Sequence, residues 1–180
     1  FHLRGGEDSR SSIDGLTIAN GSAVLGGGMY CESSAPALSN MVFRDNVATG
    51  ATGGGGLYLS LSSPTITDVV FDGNSAAASG GAVHCAGSSP DVSFAVFSNN
   101  VATDDGGAVY CTGGATLPTL DNCTFVSNEC SFGGAGVTCS TNSSVELSNC
   151  IVAFSPAGKG VACSSGCFAT ISCSDVYGNA

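Results

Sequence analysis

The chain has 180 residues; 43% are apolar, only 10% are charged, and the net charge is −10. Such an acidic chain is poorly suited to nucleic acid or to anionic membrane surfaces, because both bind through cationic side chains. The apolar content suffices for a packed core, yet no apolar run approaches the roughly 18 residues of a membrane span. We therefore expect no nucleic-acid partner and no membrane insertion.

Apolar anchor residues recur along the chain at intervals of 24 to 28 residues. A drifting period of this size indicates a stack of similar coils, each too small to bury its own apolar side. The anchors, in chain order, are Ile13, Leu38, Ile66, Val92, Leu120, Leu147 and Ile171.

An FxxN phrase follows four of the anchors, as FRDN, FDGN, FSNN and FVSN, and TIAN and VYGN are weaker copies. An Asn amide that points into a turn can bond the Asn above and below it when coils stack. We therefore predict a structural column of asparagines. Its members are Asn20, Asn46, Asn74, Asn100, Asn128 and Asn179.

A double glycine opens a second repeated phrase, as in GGAVHC (80–85) and GGAVYC (106–111). Glycine suits a corner that needs positive φ or a close backbone approach. In the strand that follows, alternation points Val109 and Cys111 inward and Tyr110 outward. The same alternation gives His84 an outward place beside Tyr58, which predicts a surface position rather than a catalytic one.

Stacking such coils about 4.8 Å apart places like residues on like residues. We predict an all-β, single-domain parallel β-helix (solenoid) over residues 1–180, with about seven rungs of 24–28 residues. The first and last coils are incomplete and show no evident caps. One inward stack should contain Phe43, Phe71, Phe97 and Phe125.

The paired FxxN and GGA-plus-aliphatic phrases resemble those of the passenger domains of polymorphic membrane proteins. The resemblance covers about residues 40–140 well and the ends loosely. It implies a right-handed helix and a surface-exposed adhesive or structural role. The resemblance does not extend to the C-terminal membrane barrel that such autotransporters carry, because no part of these 180 residues resembles it.

Carboxylates are the candidate catalytic groups, because β-helices also act as polysaccharide lyases or hydrolases. Such sites need clustered acids as an acid–base pair or as calcium ligands. We interpret the acids here as turn residues, and we assign no catalytic residue, cofactor or metal ligand. A carbohydrate-active or carbohydrate-binding protein stays open as the alternative. The candidate catalytic or calcium-binding acids are Asp45, Asp68, Asp72, Asp91, Asp104, Asp105 and Asp121.

Ten cysteines favour an oxidising compartment, so we expect the protein outside the cell or on its surface. Cysteines at the same place in adjacent rungs can form disulfides. The expected pairs are Cys85–Cys111, Cys139–Cys163 and Cys123–Cys150.

Three sequons, at Asn20, Asn122 and Asn142, are possible glycosylation sites.

A further outward column is rich in β-branched residues, which suit either a lateral contact surface or simply a strand. Its members are Val42, Val70, Val96, Thr124 and Ile151.

The two ends of the chain suggest head-to-tail assembly. Asn74 and Asn100 each lie six residues before a double glycine. If a second copy followed Ala180, Asn179 would lie six residues before its Gly5. We therefore expect a homopolymer that can also contact a cell surface or a carbohydrate, with a longer repeat protein as the alternative. The expected contact residues are Phe1, His2, Leu3, Val176, Tyr177 and Ala180.

Overall fold

The computed structural model describes residues 1–180, which wind into a parallel β-solenoid of seven rungs without helices. A rung here is one full turn of the solenoid. A complete rung contains a strand of sheet A, a strand of sheet B, a strand of sheet C and a return strand that leads to the next rung. The predicted fold class is confirmed.

The first four rungs each contain four separate strands. Rung 1 has β1 (His2–Leu3), β2 (Ser12–Asp14), β3 (Thr17–Ala19) and β4 (Ser22–Leu25). Rung 2 has β5 (Met29–Glu32), β6 (Ala37–Ser39), β7 (Val42–Arg44) and β8 (Val47–Gly53). Rung 3 has β9 (Leu57–Ser60), β10 (Thr65–Thr67), β11 (Val70–Asp72) and β12 (Ser75–Ala76). Rung 4 has β13 (Val83–Ala86), β14 (Asp91–Ser93), β15 (Val96–Ser98) and β16 (Val101–Ala102).

In the last three rungs, two long strands combine a return strand with the next strand of sheet A. Rung 5 has β17 (Val109–Thr112), β18 (Thr119–Asp121), β19 (Thr124–Val126) and the start of β20 (Glu129–Cys139). Rung 6 has the rest of β20, then β21 (Ser144–Ser148), β22 (Ile151–Ala153) and the start of β23 (Ala157–Cys163). Rung 7 has the rest of β23, then β24 (Phe168–Ser172) and β25 (Asp175–Tyr177).

The strands pair in parallel with the strands one rung away, in the register that the repeats predict. The anchor Ile66 lies opposite Leu38 on one side and Val92 on the other. Phe71 lies between Phe43 and Phe97, with ring centroids 4.9 and 5.1 Å away and nearly parallel planes. Offset stacking of aromatic rings adds to the burial of their apolar area. Like residues therefore stack on like residues through the core.

Left-handed backbone at the corner between sheets B and C interrupts the alternation of inward and outward side chains after each anchor. In most rungs a residue other than glycine adopts positive φ there, as Asn40 does at 52° and Asp68 at 54°. Asn and Asp tolerate this conformation better than other L-residues, because their short polar side chains bond locally. Each corner turns the next residue, such as Met41 or Val69, into the core.

Candidate functional site

Four of the predicted asparagines form a fully buried column at the corner after sheet C. Asn46, Asn74, Asn100 and Asn128 each expose 0% of their surface. Asn74 Nδ2 donates to Asn100 Oδ1 at 3.0 Å and to the Phe43 carbonyl at 2.9 Å. The Asn74 backbone N–H also donates to Asn100 Oδ1 at 3.0 Å. Each amide thus bonds across rungs, satisfying polar groups that burial would otherwise leave unpaired.

The predicted column was wrong for Asn20. Ala19 lies opposite Arg44, so Asn20 occupies the place of Asp45, and Gly21 occupies the place of Asn46. Asn20 adopts positive φ (57°) and is exposed. Gly21 contributes only its backbone N–H, which donates to Asn46 Oδ1 at 2.9 Å.

At the other end, Asn179 does lie in line with the column, but Ser155 separates it from Asn128. Asn179 Oδ1 accepts the Ser155 backbone N–H at 3.2 Å, and its Nδ2 donates to the Val152 carbonyl at 3.0 Å. Ser155 is 4% exposed, and its side chain has no amide oxygen that could accept a hydrogen bond from Asn128. The chain of Asn–Asn bonds therefore runs from rung 2 to rung 5 and stops.

A second buried polar column, of hydroxyls, was missed from the sequence. Ser34 N–H donates to Ser62 Oγ at 3.0 Å, and Ser62 N–H donates to Ser88 Oγ at 2.9 Å. Thr116 and Ser143 are buried in the two rungs that follow. A signal was present, since Ser34, Ser62, Ser88 and Thr116 each stand two residues before a proline.

Three aspartates on the outer surface accept hydrogen bonds from a Ser–Asn pair of the next rung. Asp121 Oδ1 accepts from Ser148 Oγ at 2.6 Å and from Asn149 Nδ2 at 2.8 Å. These two bonds lower the pKa of the Asp121 carboxyl. Asp72 is bound in the same way by Ser98 and Asn99. Asp14 is bound by Ser39 and Asn40.

The remaining candidate acids occupy separate corners and turns, except for the adjacent Asp104 and Asp105. Asp45 and Asp68 occupy corner positions with positive φ, and Asp91 accepts a bond of 2.7 Å from Thr119 Oγ1. Burial, together with the nearby charge of Asp104, raises the pKa of Asp105. No group of three His, Cys, Asp or Glu side chains in residues 1–180 could hold a metal ion.

The expected surface position of His84 was wrong, because the outward side of sheet A is covered at this rung. His84 is 4% exposed, and Tyr58 next to it is 8% exposed. Gly80, the corner glycine before β13, lies close to the His84 side chain. A Cβ added at Gly80 would approach the His84 Cβ to 3.0 Å. Burial lowers the pKa of His84 to about 4. The ring is therefore neutral near pH 7 and packs between Tyr58 and Tyr110.

All ten cysteines are free thiols in the structure. Cys85, Cys111, Cys139 and Cys163 lie opposite one another in successive rungs. Cys123 and Cys150 sit at the B–C corner of neighbouring rungs, where their thiols donate hydrogen bonds to backbone carbonyls. The disulfide pairs stay predictions.

Two sets of outward residues lie on the accessible surface. All three sequon asparagines, Asn20, Asn122 and Asn142, are exposed. In the β-branched column of sheet C, Val96 and Ile151 expose 37% and 43%, and the other members are half-buried. Glycosylation and lateral contact both stay predictions.

The predicted phase match at the ends was wrong. His2 lies opposite Tyr30, so Phe1 takes the place of Met29, which directly follows a double glycine. Gly5 and Gly6 therefore come after the first strand of sheet A and not before it. Phe1 of a copy placed after Ala180 would follow Asn179 too closely to leave room for a return strand and a glycine corner.

The family model of the right handed beta helix region matches residues 2–152. The chain belongs to this family. Searches of curated proteins and of solved structures returned no match. No helix in the structure has the length and apolar character needed to cross a membrane. The family establishes the fold, whereas the resemblance to polymorphic membrane proteins stays a prediction.

Proposed function

We propose that this protein is a structural and adhesive β-solenoid outside the cell, which associates end to end with further copies of itself. The observation that carries the proposal is the pair of open strand edges at its two ends. At the upper end, which is rung 1, the outermost strands are β1 and β4 of sheet A, β2 of sheet B and β3 of sheet C. At the lower end, which is rung 7, they are β23, β24 and β25. Unpaired strand edges readily pair with another chain.

Apolar side chains accompany these edges. Ile171 and Val176 continue the inward columns of Leu147 and Val152, yet each is 44% exposed in the last rung. At the upper end, Ile13 continues the Leu38 column and is half-buried. A further rung of the same cross-section would remove these side chains from water, a gain of about 25 cal/mol for each Å² of apolar area.

The corrected register defines what such a contact contains. β1 of one copy would pair with β23 of the next, β2 with β24 and β3 with β25. Gly21 stands where an asparagine would be needed, so no Asn–Asn bond would cross the junction. The contact would therefore consist of three parallel strand pairs and the apolar columns between them. A neighbouring part of a longer chain would fit the same edges.

The use of the surface acids supports a role outside catalysis. Asp14, Asp72 and Asp121 bind side chains of the next rung. The pKa of Asp121 is lowered, mainly by Ser148, whereas a general acid needs a raised one. The ten cysteines support placement outside the cell or on its surface.

The test uses two end variants of the 180-residue chain, Ile13→Asp and Ile171→Asp, in sedimentation velocity over a range of concentrations. We expect the wild-type chain to form oligomers that grow with concentration. Each variant alone should be monomeric, because every contact would include one damaged end. A mixture of the two should form dimers that do not extend, since each contributes one intact end.

The control is Thr65→Asp, which places the same charge on the exposed outer face of sheet B in rung 3 and should assemble like wild type. Circular dichroism of each variant confirms that it is folded. A wild-type chain that stays monomeric at high concentration, or a mixture that forms no dimer, would contradict end-to-end association.

Carbohydrate binding is a second candidate, favoured by Phe94. Its side chain is 57% exposed at the B–C corner, where the residue adopts positive φ (54°) beside the polar face of Asp91 and Ser93. Exposed aromatic rings flanked by polar groups are suited to stacking on sugar rings. Binding to a glycan array that is lost in Phe94→Ala and kept in Phe132→Ala, which removes another exposed ring, would support this role.

A further inference from the structure

Six cysteines have a sulfur neighbour in an adjacent rung. Four of them form a continuous column, in which each thiol contacts the next: Cys85 with Cys111, Cys111 with Cys139, and Cys139 with Cys163. Each column member faces its neighbours directly across paired strands. Paired strands lie about 4.8 Å apart, which is within the Cα separation that a disulfide spans.

The remaining two, Cys123 and Cys150, form an isolated pair on another side of the solenoid. The two thiols are neighbours across the rung step. Cys123 Sγ donates to the Asp121 carbonyl at 3.3 Å, Cys150 Sγ donates to the Leu120 carbonyl at 3.2 Å, and both residues are 1% exposed. Cys123 precedes Thr124 and Cys150 precedes Ile151, and these two residues lie opposite one another in sheet C. Cys123 lies in rung 5 and Cys150 in rung 6.

The column of four cysteines extends from rung 4 to rung 7, and the Cys123–Cys150 pair lies within that range. Cys85 lies in rung 4, Cys111 in rung 5, Cys139 in rung 6 and Cys163 in rung 7. The only pairing that uses all four column thiols joins rungs 4 and 5 and rungs 6 and 7. It leaves the step between rungs 5 and 6 without a bond, and this is the step that Cys123 and Cys150 span.

We propose that oxidation of this protein forms three disulfides, Cys85–Cys111, Cys123–Cys150 and Cys139–Cys163. Together they cross-link each pair of adjacent rungs from rung 4 to rung 7 once. Rungs 1 to 3 contain no disulfide, since Cys31 faces Leu59. The alternative bond Cys111–Cys139 would duplicate the step already held by Cys123–Cys150. It would also leave Cys85 and Cys163 unpaired.

The chemistry is thiol–disulfide exchange with a small-molecule disulfide such as oxidised glutathione. One cysteine thiolate attacks a glutathione sulfur, which forms a mixed disulfide and releases a glutathione thiolate. The neighbouring cysteine thiolate then attacks the mixed disulfide at the protein sulfur and releases the second glutathione. Two cysteine thiols are oxidised, one glutathione disulfide is reduced, and the two thiol protons end on the two glutathione thiols.

The column also allows a misplaced bond to be corrected. If Cys111–Cys139 forms first, the Cys85 thiolate can attack Cys111 and release Cys139, which then pairs with Cys163 through a second oxidant molecule. Burial raises the pKa of the Cys163 thiol to about 11. Below that pKa, the thiolate fraction of Cys163 increases about tenfold for each unit by which the pH is raised, and oxidation should accelerate with rising pH.

The test begins with the folded, reduced 180-residue chain and oxidised glutathione at equilibrium. Free thiols are then trapped by alkylation, the protein is digested with a protease active in acid, and the peptides are identified by mass spectrometry without reduction. We expect the three cross-links above and alkylated Cys31, Cys130, Cys167 and Cys173. A Cys111–Cys139 or Cys163–Cys167 cross-link as the main product, or no cross-link in the column, would overturn the proposal.

Hydrogen exchange measures how the disulfides stabilise the rungs that they cross-link. Oxidation should slow amide exchange in β13, β17 and β21 by about tenfold or more and leave β2 and β6 unchanged, because only rungs 4 to 7 are held. Cys111→Ala should remove this protection from β13 alone and keep the cross-links Cys123–Cys150 and Cys139–Cys163. The control Cys31→Ala should behave as wild type, and equal slowing in rungs 1 to 3 would contradict the proposal.

Discussion

Two steps of the solenoid hold their rungs together by different means. Between rungs 4 and 5, Asn100 Nδ2 donates to Asn128 Oδ1 at 3.0 Å inside the core. Between rungs 5 and 6, Ser155 replaces the asparagine, and no such bond can form. At that same step, Asp121 binds Ser148 and Asn149 on the outer surface, and the Cys123 and Cys150 thiols meet.

The difference teaches that the repeat specifies one cross-section but not one kind of bond. Backbone pairing continues through both steps, and apolar residues stay opposite one another, with Phe97 opposite Phe125 and Phe125 opposite Val152. Buried amide bonds are directional and depend on a matching residue in the next rung, so a single replacement removes them. Bonds on the surface and between thiols can hold the rungs at such a step.

The largest expected effect comes from breaking the buried column where it is complete. Asn100→Leu removes an acceptor for the Asn74 amide and a donor to the Phe71 carbonyl and to Asn128 Oδ1. Several buried polar groups lose their partners, so we expect a loss of about 3 kcal/mol in the free energy of unfolding, measured by chemical denaturation. The exposed Asn142→Leu is the control, and an equal loss there would contradict the structural role of the column.

A smaller effect should follow from restoring the missing amide. Ser155→Asn would place a side-chain amide between Asn128 and Asn179. Its oxygen can accept hydrogen bonds from Asn128, and its nitrogen can donate to a backbone carbonyl of the preceding rung, as in the rest of the column. If the position admits the larger side chain, the free energy of unfolding should rise by about 1 kcal/mol. Ser165→Asn adds the same group at an exposed position of rung 7 and should have no such effect. A destabilised Ser155→Asn would indicate that this corner is narrower than those of Asn100 and Asn128.

The smallest expected effect concerns the outer bonds of the step between rungs 5 and 6. The folded pKa of Asp121 lies below its unfolded value, chiefly because of Ser148 and then Asn149. Its stabilisation is therefore fully present above the unfolded pKa of about 3.9 and is lost as the pH falls through the folded value. Asp121→Asn should reduce the loss of thermal stability in this acid range.

Asp8→Asn is the matched control for that experiment, because Asp8 is an exposed acid near the N-terminus. It should leave the acid dependence unchanged, as measured by thermal denaturation across the range. An Asp121→Asn variant with the same acid dependence as wild type would show that the surface bonds contribute nothing measurable to this step.

Much of the fold could be predicted because the repeated apolar residues have few other ways to be buried. Phe43, Phe71, Phe97 and Phe125 recur at one coil position, so stacking in register was the direct solution. The column of Asn46, Asn74, Asn100 and Asn128 followed from the same register. At Asn20 the same reasoning failed, because the phrase there is one residue short and only the strand pairing shows which residue reaches the corner.

Other features depended on neighbours that are distant in sequence. His84 alternates outward on its strand, but Tyr58 and Tyr110 of the adjacent rungs flank its ring, so its surface is buried. The hydroxyl column of Ser34, Ser62 and Ser88 had a sequence signal, a proline two residues later. The inward direction of these side chains became clear only from their bonds to the next rung.

The sequence by itself determined the period, the inward stacks of anchors and phenylalanines and the all-β class, because each 24–28-residue coil repeats the same apolar positions and cannot bury them alone. Only the tertiary structure decided which residue of each phrase occupies the corner, which outward rings are covered and which thiols meet. Those outcomes depend on the register between rungs and on local differences in coil length. A shift of one residue in either changes which side chains face one another across a rung step.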